Sequence, residues 1–366
     1  MAAVGNDRSP SRNVQGVWIS AKLPVEFLLA ARGHPRVFSS MKAMILAAGF
    51  GTRLFPLTID RTKPAIPFLG RPLIGYVAEY IAQFGITDVV VNLHHQPQSV
   101  INALGDGSRF GVHIDYTLEE PEILGTSGAL DNARELLEDD AFLIVNGKII
   151  TEIDLSAAID THKRSGALAT MVLKPNVRRE KFTVVDVEDG YVKEFGGYPS
   201  PAGNGEAPPM MFTGIHILEP RVFEYIPRGV YSDIVPTVYN PAIAGGERIA
   251  AHITEANWFE LSTIPRYLDI SLAMMKGGNV CIGNNCAVSD SAAIRDSVLW
   301  DGVTVSEDAV LSRTIVADGV AIAPGERIEN AAIVRAGSVR DCDEIPEKAL
   351  KGYYQGDNYI VPFDQN

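Results

Sequence analysis

Residues 43–54 read AMILAAGFGTRL, and this stretch decides the fold. Its opening AMILAA is an apolar run of the length a parallel strand needs when both its faces are covered. Gly49 and Gly51 follow, then Thr52 and Arg53. A glycine-rich turn at the carboxyl end of a buried strand is where doubly wound α/β proteins hold their ligands. Three glycine-loop readings compete. A P-loop needs Gly, four residues and then Gly-Lys-Ser/Thr, which is absent. A dinucleotide fingerprint needs a third glycine three residues after the second, and Leu54 stands there. What remains is Gly49-x-Gly51-Thr52-Arg53 with Lys63-Pro64 ten residues beyond Arg53. Such glycines let backbone N–H groups approach a phosphate, Arg53 can fork onto its oxygens, and Lys63 supplies a point charge. A plain turn with two surface cations is the alternative.

Outward from this stretch the chain alternates. Residues 72–84 (PLIGYVAEYIAQF) are apolar at 73, 74, 77, 80, 81 and 84, a helical period, and Gly85 can cap it. Strands are expected at 88–93, 112–117, 141–145 and 167–173, and helices at 97–104, 127–138 and 155–164. This order predicts a Rossmann-like, doubly wound, mostly parallel sheet. Residues 198–209 are rich in Pro and Gly and read as a loop, and 212–218 (FTGIHIL) as a further strand.

After Lys276 the period changes. Ile282, Val288 and Ile294 are six apart; after a step of four the series resumes as Val298, Thr304, Val310, Val316, Ile322, Ile328 and Val334. A hexapeptide period predicts a left-handed parallel β-helix, here expected to serve as an oligomerisation surface. The expected organisation is therefore a leader at 1–40, an α/β domain at 41–276, the β-helix at 277–345 and a tail at 346–366. The leader reads as disordered or as an extension from an upstream start codon, with a docking helix at 24–32 as the weaker alternative. In the tail, Tyr353, Tyr354, Tyr359 and Phe363 look exposed and suited to packing on the β-helix or on another subunit.

The chain has 366 residues, 46 % of them hydrophobic, enough for two domains with a sizeable core. Its net charge of −13 argues against nucleic acid as a partner, and no apolar run is long enough to span a bilayer. Residues 1–40 carry +3, so the remainder carries −16. Three cysteines (Cys281, Cys286, Cys342) suggest no disulfide framework and fit a reducing cytoplasm. All seven histidines precede the hexapeptide region, which argues against an acyltransferase with a β-helix histidine as base. His94 and His95 end a strand and face opposite sides, so they read as loop or pocket lining rather than a metal pair.

The motifs together resemble a known family. LAAGFGTRL (46–54), PLT (56–58) and TKP (62–64) are similar to the signature of the sugar-1-phosphate nucleotidylyltransferases, the nucleotide-sugar pyrophosphorylases. EEPEILGTSG (119–128), FTGIHIL (212–218) and WFELST (258–263) resemble later blocks, and the likeness covers residues 41 to about 339. The hexapeptide region is similar to that of the mannose-1-phosphate guanylyltransferase and glucose-1-phosphate adenylyltransferase branches. The resemblance implies an NTP and a sugar 1-phosphate as substrates, nucleotide-sugar and pyrophosphate as products, and a role in supplying polysaccharide or glycoconjugate synthesis. It implies Arg53 at the pyrophosphate and Lys63 at the α-phosphate. Leu46, Ala48, Gly49, Gly51, Thr52, Gly125 and Thr126 would hold the nucleotide, and Gly147 and Thr213 the sugar phosphate. Glu120 matches the base-reading position. A carboxylate accepts hydrogen bonds only, and guanine offers N1–H and N2–H side by side, so GTP is favoured, with mannose 1-phosphate as acceptor.

The resemblance also implies Mg²⁺, and there the sequence departs from it. Residues 142–154 read FLIVNGKIITEID, with Lys148 where the family has a metal-binding Asp. An ammonium has no lone pair for Mg²⁺. Glu260 occupies the second ligand position, and the family's Glu-Lys-Pro aligns with Gly197-Tyr198-Pro199. Three readings stay open. Lys148 replaces part of the metal's charge, or Glu152, Asp154 or Glu260 captures Mg²⁺. The chain binds nucleotide as a regulatory subunit without turnover. Or Lys148 is a variant change in an otherwise active protein.

Overall fold

A computed structural model describes residues 18–20, 41–200, 207–275 and 279–364. The rest of the leader, including the proposed docking helix at 24–32, lies outside the described residues. The first domain alternates as expected: β1 (Ala43–Leu46), α1 (Leu73–Ala82), β2 (Asp88–Leu93), α2 (Pro97–Leu104), β3 (His113–Leu118), α3 (Gly125–Asn132), β4 (Phe142–Asn146), α4 (Leu155–Ser165) and β5 (Ala169–Pro175). It continues with β6 (Val184–Glu188), β7 (Tyr191–Phe195), β8 (Met210–Leu218) and β9 (Ile249–Ile253).

These strands form a nine-stranded sheet in the order β6-β7-β9-β5-β8-β4-β1-β2-β3. β1 pairs in parallel with β2 on one side and β4 on the other, while β8 runs antiparallel between β4 and β5. Ala43 and Ile45 pack with Ile74, Val77 and Ile81 of α1; Met44 packs on the opposite face with Ala129 and Leu130 of α3. Burial on both faces is why β1 is apolar at every position. From β1 the chain goes to β2 and β3 on one side, then crosses to β4 on the other. The crevice between the ends of β1 and β4 is thus the topological switch point.

Two details differ from expectation. The helix expected at 127–138 is broken: α3 stops at Asn132 and a single turn, Arg134–Leu137, follows. Residues 184–195 form a hairpin, β6–β7, around Asp189 and Gly190, both in the left-handed region at φ 51° and 81°. An Asp-Gly pair suits such a turn.

The C-terminal region stacks short strands. Val280–Ile282, Ser297–Leu299, Val310–Val316 and Arg327–Arg335 pair in parallel in that order, and Ala287–Val288, Thr304–Val305 and Ala321–Ile322 form a second parallel set. Trp18–Ser20 adds a parallel strand beside Val280–Ile282. Partners lie 17 residues apart, and side-chain hydrogen bonds repeat the interval: Asn284 to Asp301, Arg295 to Ser312, Arg313 to Asn330. The corners share a left-handed backbone at Asp296, Arg313 and Asn330 (φ 48–53°).

A 17-residue interval corrects the expected register. The interior is filled by Ile294, Leu299, Val305, Leu311, Val316, Ile322, Ile328 and Ile333. The series therefore shortens to a step of five at each return. Of the expected series, Val298 and Val334 pack instead against the first domain, with Leu54, Phe55, Ile66 and Phe68; Thr304 is exposed and Val310 half-buried. Val298 and Leu299 are adjacent, aliphatic and both buried, so a count of apolar positions does not tell the two faces apart. In the tail, Asn358–Pro362 pairs antiparallel with Arg327–Arg335; Tyr359 is buried, while Tyr353 and Tyr354 are exposed. Among the described residues no helix is long and apolar enough to cross a membrane.

Candidate functional site

The loop after β1 folds over the segment that carries Lys63. Gly51 adopts φ 66°, and a Cβ there would meet the Cβ of Lys63 at 2.9 Å. Glycine is thus required twice over, by the left-handed backbone and by the contact. Thr52–Leu54 then turn as a short 3-10 helix, and Lys63 is left only 7 % exposed beneath the loop. On the neighbouring strand, Gly147 follows β4 and donates its N–H to the Leu46 carbonyl at 3.0 Å. A Cβ at Gly147 would lie 2.9 Å from that same oxygen, so glycine lets the two loops run side by side and points the next residue, Lys148, at the cleft.

The cleft holds about 500 Å³ and is lined by the β1 loop from Leu46 to Arg53, with Lys63, Asn92, Glu119, Gly125, Thr126, Asn146, Lys148, Asp233 and Ser262 among its other walls. A wider groove of about 1200 Å³ opens beside it and shares Thr52, Arg53, Lys148 and Ser262; Arg178, Lys181, Tyr198, Glu260 and Arg266 form its other side. The two spaces meet at Arg53 and Lys148, where a group passing between two bound substrates would lie.

Electrostatics concentrate at that junction. Lys148 Nζ lies 2.5 Å from a Glu260 carboxylate oxygen. The pair is held by backbone: Trp258–Glu260 runs antiparallel to Ile149–Thr151 with Glu260 opposite Ile149, and Leu261 N–H donates to the Lys148 carbonyl at 3.2 Å. Burial works against the Glu260 charge, but the Lys148 ammonium and its hydrogen bond, with Lys63 and Arg53, hold the carboxyl below its usual range. Burial pushes the Lys63 ammonium down to about 7, and repulsion from Lys148 and Arg53 outweighs the help from Glu260. Two cations, and a third when Lys63 is protonated, thus face one carboxylate.

Of the residues expected at a nucleotide, Leu46, Ala48, Gly49, Gly51, Thr52, Gly125 and Thr126 line the cleft, together with Arg53 and Lys63. Glu120 does not; it is exposed, and its neighbour Glu119 is the lining carboxylate. Glu119 is 1 % exposed and accepts from Asn92 Nδ2 at 2.6 Å and from the Leu124 N–H at 2.7 Å, so its oxygens are engaged by the protein. Thr213 is fully buried, donating to the Val172 carbonyl at 2.8 Å, and does not reach either space. Gly147 shapes the floor without lining the cleft. Glu152 accepts from Asn257, and Asp154 caps α4 through the N–H groups of Ser156 and Ala157, so neither turns toward Lys148.

Several site residues escaped the sequence reading. Asn92 Oδ1 accepts from the Ala47 N–H at 2.8 Å while its Nδ2 holds Glu119, tying the β1 loop to the β2 end. Asp233 accepts from the N–H and hydroxyl of Thr126 and from the Tyr231 hydroxyl, and it lines the cleft. Asn92 carried a signal: a polar residue inside the run VVVNL at a strand's carboxyl end. Asp233 carried none. Phe50 stands exposed beside His94 and His95, with ring centroids 5.5 and 5.4 Å away.

A glycine loop over a buried lysine, at the switch point of a doubly wound sheet, defines a protein that handles phosphate esters. The comparison with known proteins narrows this: the Nucleotidyl transferase family matches residues 42–277, and the chain belongs to that family. Residues 266–345 match the GMPPB C-terminal domain. The UTP--glucose-1-phosphate uridylyltransferase of Synechocystis is 29 % identical over 86 % of this chain and 88 % of its own. The mannose-1-phosphate guanylyltransferase of Mycobacterium tuberculosis is 29 % identical over 81 % of this chain and 82 % of its own. A solved structure of HddC from Yersinia pseudotuberculosis, complexed with GMP-PN, shares the fold at TM-score 0.55 and 20 % identity, covering 64 % of this chain and 100 % of its own. The family and the Synechocystis and Mycobacterium tuberculosis relatives are sugar-1-phosphate nucleotidyltransferases, and this chain is an enzyme of that kind.

The family generally works with a divalent metal ion. The residues present here do not fit one. A divalent ion in a phosphate-transfer site needs one or two free carboxylates beside the substrate's phosphates, and among the described residues no larger group of His, Cys, Asp and Glu gathers. Glu260, the carboxylate at the junction, is held by an ammonium.

Proposed function

We propose that the chain transfers a nucleotidyl group from GTP to mannose 1-phosphate, giving GDP-mannose and pyrophosphate. The observation that carries this reading is the junction of two spaces at Arg53 and Lys148, one under the glycine loop and one beside it. The nucleotide lies in the first and the sugar 1-phosphate in the second. A phosphate oxygen of the sugar attacks the α-phosphorus; that P–O bond forms as the bond to the β-phosphate oxygen breaks, and the electron pair leaves with pyrophosphate. Arg53 is assigned to the leaving pyrophosphate and Lys63 to the α-phosphate, where fixed cations offset the developing charge. The sequence assigns guanine to Glu120, but Glu120 stands outside the cleft and both Glu119 oxygens are engaged by Asn92 and the Leu124 N–H, so the choice of base rests on the relatives. Support for the base and the sugar comes from the Mycobacterium tuberculosis relative and the matched C-terminal domain.

The strand stack is read as a left-handed β-helix, supported by its parallel pairing, 17-residue interval and repeated left-handed corners, and as the contact of a homo-oligomer. The cytoplasm is the assigned compartment, supported by three unpaired cysteines among the described residues. The role assigned is supply of nucleotide-sugar for polysaccharide or glycoconjugate.

The test is pyrophosphate release by the purified chain with each NTP against a panel of sugar 1-phosphates, with magnesium and with a chelator. Release with GTP and mannose 1-phosphate above every other pair is expected. Preference for another pair overturns the specificity; silence with all pairs overturns turnover.

A further inference from the structure

We propose that Lys148 is a built-in cation: its ammonium, seated on Glu260, takes the place of a divalent metal, and the site binds its polyphosphate ligand in the metal-free form. The inference rests on the reading of the cleft as a polyphosphate site and adds how that ligand's charge is met. Lys148 lines both the cleft and the groove. Its Nζ is anchored 2.5 Å from a carboxylate that is itself largely buried; Glu260 ends a strand paired in fixed register with Ile149–Thr151, and Lys148, in the turn just before that strand, accepts at its carbonyl from the Leu261 N–H. The ammonium is therefore positioned as a bound ion would be, by a carboxylate and by backbone.

The charge count points the same way. Arg53 and Lys148 against Glu260 leave one positive charge at the junction, and two when Lys63 is protonated. Adding a divalent cation would bring it against these cations with one carboxylate, already engaged, to hold it. A polyphosphate anion supplies the charge the site lacks. Mg²⁺ at a phosphate site is held by one or two carboxylates together with the ligand's own phosphates, and the junction's carboxylate, Glu260, is already taken by the Lys148 ammonium. The ammonium offers phosphate oxygens the two N–H donors not given to Glu260.

The test is equilibrium binding by calorimetry to the full-length chain, using GTP and inorganic tripolyphosphate as probes, in chelator and in excess magnesium. Wild type is expected to bind as tightly in chelator as in magnesium, within about twofold, and to show no manganese bound in the absence of nucleotide by electron paramagnetic resonance. Lys148→Asp is expected to lose about tenfold or more in chelator, to recover in magnesium, and to acquire a manganese signal. Lys148→Met, which keeps the stem and adds no repulsion to Glu260, is expected to lose affinity in both conditions while still folded at the assay temperature, with its Tm lowered because Glu260 is left buried without its partner. Glu260→Gln, which frees the ammonium, is expected to bind tripolyphosphate in chelator at least as tightly as wild type. Binding by wild type that requires magnesium, or a wild-type manganese signal, overturns the substitution while leaving the polyphosphate reading intact. No binding of either probe in any condition overturns both.

Discussion

Lys63 offers the sharpest test of the electrostatics. It is 7 % exposed, and burial and two neighbouring cations lower its ammonium from the ordinary 10.5 to about 7. That change corresponds to about 5 kcal/mol held against the folded state wherever both forms are protonated. Between the folded value and the unfolded value, the unfolded chain keeps the proton and the folded chain does not. Stability of the wild type therefore rises with pH through that window, by about 2–3 kcal/mol from about pH 6 to about pH 9 from this group alone. Lys63→Met keeps the stem and removes the charge. It is expected to be more stable than wild type by about 3–5 kcal/mol near pH 6, with the gap narrowing by about 2–3 kcal/mol near pH 9. The assay is urea unfolding of both proteins across that range, with nucleotide binding in parallel. The variant should gain stability and lose binding. Wild-type and variant curves that run parallel with pH would refute the reasoning, since the lysine would then be solvated in the folded protein.

Three further outcomes follow from the geometry. Gly51→Ala forces a side chain into a left-handed backbone and onto Lys63; a loss of about 1–3 kcal/mol and weaker nucleotide binding are expected, read by thermal unfolding and calorimetry. Asn92→Ala strips the Ala47 N–H of its acceptor and Glu119 of a donor, both buried, and should cost about 2–4 kcal/mol with Tm as the readout. Thr213→Val leaves the Val172 carbonyl unmet and should cost about 1 kcal/mol in stability while the KM for sugar 1-phosphate stays unchanged; a raised KM would restore Thr213 to the acceptor site.

What the sequence disclosed and what it hid divide along the same line as local and distant contacts. Gly49, Gly51, Arg53 and Lys63 lie within fifteen residues of one another, and their arrangement follows from a turn that closes on itself. The alternating elements of the first domain were legible because β1 and α1 carry periods that only burial on two faces, or on one stripe, explains. Asp233 and Ser262 reach the cleft from far along the chain, and no spacing rule connects them to the β1 loop. Glu119 and Glu120 are adjacent carboxylates whose difference is decided by Asn92, a partner nearly thirty residues away. The β6–β7 hairpin turns at Asp189–Gly190, a recognisable pair, but its strands are half-exposed and carry no clean apolar alternation. The stack was legible as a repeat and its inward face in part: Ile294, Val316, Ile322 and Ile328 point in as expected, while Val298, Thr304, Val310 and Val334 do not. Val298 and Leu299 both bury, against different neighbours.

That double burial bears on how the chain can be handled as a material. Leu54, Phe55, Leu57, Ile66 and Phe68 lie directly behind the cleft, and they are covered by Trp300, Ile315, Ala332 and Val334 of the stack. The catalytic half is thus not a separable part with a stack hung from it. Severed near residue 276, it would present an oily underside to water, and its solubility, rather than its chemistry, would fail first.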